Sequence, residues 1–241
     1  MSSPSTGSSD LATDPEILDV LECPPREDLR GTVIFLHGLG QRPQQWMSAI
    51  RSMANRLPGV KWILPYSPSI AVSMNEGQVR PAWFDIKELP PTNESESESV
   101  CRQINRVLRG LEQIVHAELY GRPQSPKVVV AGFSQGGATA LALALTSLQE
   151  LGGVASLSGW IPHCTRQGMQ HIEPRLPVFW GHGTEDPEVP LALGQGSVLF
   201  LQEDLGLPER YITFKTYEDL GHEVCPQEML DLVIWLENIF N

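Results

Sequence analysis

The stretch KVVVAGFSQGGATALALAL, residues 127 to 145, constrains this chain more than any other. The valines at 128 to 130 are β-branched and favour an extended strand, whereas the alanine and leucine residues from Ala138 onward favour a helix. The junction reads Gly132-Phe133-Ser134-Gln135-Gly136-Gly137. A strand that passes directly into a helix must turn within a few residues, and side chains two positions before or after the centre of that turn would collide. Glycine at both positions removes the collision. The pattern therefore predicts a strained turn that lifts the Ser134 hydroxyl clear of a sheet, at the N-terminus of the following helix. G-x-S-x-G between strand and helix is the context a nucleophilic serine requires.

The rest of the chain alternates in the same way. Strands are predicted at 31–38, 60–67, 127–134, 153–160, 176–183 and 211–217, and most are apolar on both faces, as buried parallel strands must be. Helices are predicted at 44–57, 99–119, 138–151, 192–206 and 226–240. In the second helix Val100, Ile104, Val107, Leu111, Ile114 and Val115 recur at three- and four-residue steps, giving one stripe to lay on the sheet. Strands separated by helical crossovers imply a mostly parallel central sheet with helices on both faces. Residues 66–98 break the rhythm, with several prolines and the run NESESESV, and are read as a long irregular insertion that starts a helix with Ser97 or Ser99 as N-cap.

Composition narrows the partners. The chain has 241 residues, 41% hydrophobic and 19% charged, enough for one large domain and too apolar for a disordered chain. Residues 1–25 are read as a flexible segment and 26–241 as a single domain without a large separate lid. Against 17 basic residues stand 29 acidic ones, a net charge of −12, which repels nucleic acid and leaves at most transient contact with anionic membranes. The longest apolar run, ATALALAL, is far short of the roughly 20 residues of a membrane span. The opening residues MSSPSTGSSDLATD hold neither a basic nor an apolar segment, so no secretory or transit signal is expected. Cys23, Cys101, Cys164 and Cys225 lie far apart with no CxxC pair, which fits free thiols in cytoplasm or nucleus.

A serine nucleophile needs a base to take its proton and a carboxylate to orient that base. Of His37, His116, His163, His171, His182 and His222, the last lies between the final strand and the final helix, in YEDLGHEVCPQEML, and is preferred as base. The acid is sought in PVFWGHGTEDPEVP, where Asp186 stands ahead of Glu188 and behind Glu185, with Glu218 and Asp219 as rivals nearer His222. Asp186 precedes a proline, which restricts its backbone. A metal site from His182 and Asp186 is disfavoured because no further His or Cys ligand stands nearby. Two backbone N–H groups should receive a developing oxyanion, those of Gln135 and of Leu39 in LHGLG.

Taken together, FLHGLG, RPAWFDI, GFSQGGATAL, LSGWIP, HGTEDPEVP and LGHEVCPQE resemble, in order, the acyl-protein thioesterase (phospholipase/carboxylesterase) family of α/β-hydrolases, from about residue 30 to the C-terminus. The resemblance implies an α/β-hydrolase fold, a Ser134–Asp186–His222 triad and an oxyanion hole at Leu39 and Gln135. It also implies an acyl groove around residues 66–86 to which Trp83 and Phe84 contribute, with a role as aromatic core anchors as the alternative. QRPQQW after HGLG, Thr184 in HGT, and EGQVRPAWFD depart from the family's pattern beside the cleft, and MSSPST carries no cysteine for a lipid anchor.

The expectation is a cofactor-free, metal-free serine hydrolase that cleaves an acylated protein or a small acyl ester through an acyl-enzyme, as a monomer or weak homodimer. A small-molecule carboxylesterase or lactone hydrolase of secondary metabolism is the alternative. A non-catalytic binding protein of the same fold is the rival from another class.

Overall fold

The computed structural model describes residues 17–121, 127–169 and 176–241. Its strands are β1 (Val20–Cys23), β2 (Gly31–Leu36), β3 (Val60–Pro65), β4 (Ser69–Val72), β5 (Gln78–Pro81), β6 (Lys127–Phe133), β7 (Gly153–Leu157), β8 (Val178–Gly183) and β9 (Ile212–Tyr217). The helices are α1 (Pro43–Arg56), α2 (Glu98–Tyr120), α3 (Gln135–Thr146), α4 (His163–Gly168), α5 (Leu191–Leu199) and α6 (Pro226–Phe240). Seven strands form one sheet in the order β1-β3-β2-β6-β7-β8-β9, all parallel except β1.

The apolar strands are buried on both faces because each face receives helices. Along β2, Val33 and Phe35 join one core with Trp46 and Ile50 of α1 and Leu232 and Leu236 of α6. Their neighbours Ile34 and Leu36 join the other, with Ile104 and Leu111 of α2 and Leu141 of α3. Successive residues of a strand point to opposite faces, so one strand feeds both cores. The stripe on α2 is buried as its spacing predicts, at Val100, Ile104, Val107, Leu111 and Val115.

Several elements differ from the sequence reading. The segment expected to be loose through residue 25 contains β1, whose Val20 to Cys23 pair antiparallel with Pro65 to Trp62 of β3. An edge strand needs only one row of ladder bonds, and β1 is also pinned by charge. The buried Lys61 ammonium lies 2.8 Å from Glu22 of β1 and 2.9 Å from Glu118 of α2. Residues 1–16 of that segment lie outside the described residues. The insertion at 66–98 is less irregular than expected, since β4 and β5 pair as an antiparallel hairpin. Helix α3 begins at Gln135 and ends at Thr146, earlier at both ends than the alanine pattern suggests. The strand predicted at 153–160 stops at Leu157, because Ser158 adopts a left-handed φ of 49°. Ser97 is the N-cap of α2, although its hydroxyl makes no capping bond.

Candidate active site

Ser134 sits between the end of β6 and the start of α3 with φ 55° and ψ −122°, a conformation that costs a non-glycine residue about 1–3 kcal/mol. Its N–H donates to the Leu157 carbonyl at 2.8 Å, which ties the turn to β7. The glycines have separate tasks. A Cβ on Gly132 would overlap the Gly136 carbonyl across the turn. A Cβ on Gly136 would overlap the Leu36 carbonyl oxygen and lie 2.6 Å from that of His37, so Gly136 lets α3 approach the end of β2. Small residues continue the approach, with Ala138, Ala140 and Ala142 fully buried.

Two loops bring the remaining polar groups to this hydroxyl. His222, in the loop between β9 and α6, has Nε2 2.8 Å from Ser134 Oγ and Nδ1 2.7 Å from Asp186 Oδ2. Its ring lies against Phe133, with centroids 5.0 Å apart. Asp186, in the loop after β8, receives the N–H groups of Glu188 at 3.0 Å and Val189 at 2.8 Å on its other oxygen, Oδ1. Burial opposes its ionisation, but the His222 hydrogen bond and these amides outweigh it and hold the carboxyl below its ordinary pKa. The two loops are also joined through their backbones, Glu185 N–H to Leu220 O at 3.0 Å and Thr184 N–H to Tyr217 O at 2.9 Å.

The other histidines are accounted for differently. His182 is fully buried; its Nε2–H donates to Val189 O at 2.7 Å and its Nδ1 accepts from Trp180 Nε1 at 3.3 Å. Burial lowers its pKa, so a neutral ring braces the acid loop from beneath. Asp186 Oδ2 is 3.8 Å from this ring, and among the described residues no group of three or more His, Cys, Asp or Glu is placed to share a metal ion. His37 is also buried and pushed down to about 4, mainly by desolvation. Its Nε2 accepts from Ser67 N–H at 3.4 Å, which leaves Nδ1–H to donate to Gly38 O at 2.9 Å. His116 stacks on Tyr120 at the surface, His163 begins α4, and His171 lies outside the described residues. Glu185, Glu218 and Asp219 are exposed, and none of them bonds His222 among the described contacts.

The expected groove residues Trp83 and Phe84 require correction. They are 1% and 2% exposed and do not line the cleft. Trp83 Nε1 donates to the His37 carbonyl at 2.7 Å, while the Gln135 side chain accepts from Trp83 N–H at 3.0 Å and donates to Phe84 O at 2.7 Å. They are core anchors that clamp the end of the hairpin segment onto the strand-to-helix turns. Gln135 thus carries a structural duty in its side chain that spacing alone gave no sign of. Gln41 is similar: its Oε1 accepts from Gly38 N–H and Trp46 Nε1, both at 2.9 Å, and shapes the Gly38–Gln41 turn. Neither the Leu39 nor the Gln135 amide has an intramolecular acceptor among the described residues.

The cleft above Ser134 has a volume of about 340 Å³, with Leu39, Met74, Arg80, Ile86 and Leu89 on its walls and His222 and Glu188 beside the hydroxyl. A larger hollow of about 480 Å³ between α1 and α6 contains none of the Ser–His–Asp groups. The smaller cleft is the one that holds Ser134 and His222, and its lining mixes the apolar side chains with Gln41, Asn75, Arg80 and Glu188. Among the described residues no helix is long and apolar enough to cross a membrane.

A mostly parallel sheet with a serine on a strained β6–α3 turn, hydrogen-bonded to a histidine that is bonded to a carboxylate, defines an α/β-hydrolase of the serine type. The chain belongs to the phospholipase/carboxylesterase family, whose model matches residues 20–239. It is 38% identical over 233 residues to acyl-protein thioesterase 1 of Cryptococcus neoformans, covering 92% of this chain and 98% of that relative. It is 34% identical over 211 residues to a probable carboxylesterase SOBER1-like of Arabidopsis thaliana, covering 86% of this chain and 78% of the relative. Among solved structures it matches acyl-protein thioesterase 2 of Zea mays with a TM-score of 0.77 and 26% identity, over 92% of this chain and 99% of that one.

Proposed function

We propose that the chain is an acyl-protein thioesterase that also hydrolyses simple acyl esters, with Ser134, His222 and Asp186 as its catalytic groups. The observation that carries this reading is the unbroken relay from Asp186 Oδ2 through His222 to Ser134 Oγ, at 2.7 and 2.8 Å. The relatives named acyl-protein thioesterase support the thioester as the bond cleaved. The small-ester alternative of secondary metabolism is not favoured by them.

In the proposed reaction the Ser134 oxygen attacks the acyl carbonyl carbon as its proton moves to His222 Nε2. The carbonyl oxygen becomes an oxyanion facing the Leu39 and Gln135 amides, each such donor being worth about 3 kcal/mol. Collapse breaks the carbon–sulfur bond, and the proton on Nε2 passes to the departing thiolate. Water, deprotonated by the same nitrogen, then attacks the acyl-serine, releases the carboxylic acid and returns the proton to Ser134. Asp186 keeps Nδ1 protonated throughout, so Nε2 is free to accept. The apolar side chains of Leu39, Met74, Ile86 and Leu89 would hold the acyl chain. The described cysteines are all free, in keeping with work in the cytoplasm. The enzyme is proposed to act as one folded unit, monomeric or weakly dimeric, with no more than transient membrane contact.

The test is a panel of acyl thioester peptides of increasing chain length, together with a fluorophosphonate probe, on the wild type and Ser134→Ala. The wild type should turn over the thioesters and take the label, and the folded variant should do neither. Equal labelling of the two proteins would reject the assignment.

A further inference from the structure

Glu188 enters the cleft beside the catalytic groups without belonging to the Ser–His–Asp relay. Its Oε2 lies 3.6 Å from His222 Nε2, the nitrogen that faces Ser134. Its backbone is fixed, because its N–H donates to Asp186 Oδ1 at 3.0 Å, while its side chain is 55% exposed. No lysine or arginine pairs with it among the described residues. The cation on the cleft wall, Arg80, sits on β5 and donates to Gln78 at 2.8 Å.

We infer that Glu188 selects substrates by the charge of their leaving group, favouring an acylated cysteine flanked by lysine or arginine. The inference rests on the thioesterase reading above. To be protonated, the departing sulfur must come within about 3 Å of His222 Nε2. That places it no more than about 7 Å from the Glu188 carboxylate, because both distances are measured from one nitrogen. Leu39, Met74, Ile86 and Leu89 supply the apolar wall for an acyl chain, and Arg80 lies on the same lining with its guanidinium bonded to Gln78. A group departing beside His222 Nε2 meets a carboxylate that has no lysine or arginine partner among the described residues, on a chain of net charge −12. A basic side chain next to the acylated cysteine can reach that carboxylate, and an acidic one, or the phosphate of a lysophospholipid, is repelled by it. A unit charge about 6 Å away, at an effective dielectric of about 40 to 80 for a half-exposed pair, changes the rate by about threefold to tenfold. Glu188 also faces the imidazolium that forms on His222 with every substrate, so a general rate effect alone does not identify selection. The ratio between substrates does.

The experiment measures kcat/KM of the full chain on three thioester peptides with the same acyl group, in which the acylated cysteine is flanked by lysine, glutamine or glutamate. At low salt the wild type should prefer the lysine peptide over the glutamate peptide by about tenfold or more, with the glutamine peptide between. Glu188→Gln should bring that ratio to within about twofold, Glu188→Lys should invert it, and 0.5 M salt should compress it in the wild type. An unchanged ratio in Glu188→Gln, or a wild type indifferent to flanking charge, overturns the inference while leaving the thioesterase reading intact. Failure of the wild type to hydrolyse the glutamine peptide removes both.

Discussion

Replacing Asp186 by Asn probes the relay at its least visible point. Asp186 Oδ1 accepts two amides, from Glu188 at 3.0 Å and Val189 at 2.8 Å, so an asparagine must keep its carbonyl oxygen there. Its NH₂ is thereby turned toward His222 Nδ1, which in the wild type lies 2.7 Å from a carboxylate oxygen. The imidazole then has to carry its proton on Nε2, where it points at Ser134 and cannot accept one. In serine protease triads this change lowers kcat by about 10⁴, or about 5 kcal/mol of transition-state stabilisation, and the same loss is expected here. The assay is steady-state hydrolysis of a neutral chromogenic ester, with fluorophosphonate labelling as a second readout and circular dichroism to establish the fold. Stability offers an independent check. The folded pKa of Asp186 is depressed, so its ionised form stabilises the protein above the ordinary value of 3.8, and that contribution is lost as pH falls through the lower folded value. Asp186→Asn should therefore be less stable than wild type at neutral pH and approach it in acid. A folded variant that keeps more than a tenth of the wild-type kcat would refute the reasoning, because the amides would then not have dictated the tautomer.

Other perturbations follow from the same geometry. Gly136→Ala places a Cβ against the backbone carbonyls of Leu36 and His37, atoms that cannot rotate away, so it should cost about 3 kcal/mol in urea unfolding and abolish most activity. Glu228 is fully buried with neither carboxylate oxygen partnered, and burial, reinforced by Asp186 and Asp231, raises its pKa to about 8. The folded protein then holds a proton that the unfolded chain releases near 4.5, so stability falls between those values as pH rises. Glu228→Gln should flatten that slope and gain Tm over wild type at pH 8 but not at pH 4.5, and an identical pH dependence in both proteins would contradict it. Trp83→Phe removes the donor to the His37 carbonyl and should cost about 1–2 kcal/mol in thermal unfolding, along with a fall in kcat as the Leu39 turn loosens.

The sheet and the residues of the proposed relay leave local marks in the sequence. Val128 to Val130 and the buried stripe of α2 follow the periods of strand and helix, and the Ser134 turn needs glycines at fixed offsets. Asp186 and His222 each follow a strand, where this fold gathers its loops. Edges and braces were harder to read. Strand β1 is short and half-exposed, and what holds it, the Lys61 contact to Glu22 and Glu118, joins residues distant in sequence. The β4–β5 hairpin alternates too little to announce itself. The family resemblance placed Trp83 and Phe84 at a groove, with a core role as the alternative, and the Gln135 clamp on their backbone joins residues too distant in sequence to be read from spacing. Glu188 was visible only as a neighbour of Asp186 in the loop after β8. Its place beside Nε2 rather than Nδ1 depends on a loop conformation that no spacing encodes.

The central claim is that Ser134 carries the acyl group between two half-reactions. Rapid-quench mixing of the protein with a long-chain acyl thioester, followed by intact mass and peptide mapping, tests it directly. The account predicts a transient gain of one acyl group, confined to the peptide containing Ser134, accumulating further when deacylation is slowed at low pH and absent in Ser134→Ala. An adduct on any other residue, or thioester turnover that persists in Ser134→Ala, would contradict it.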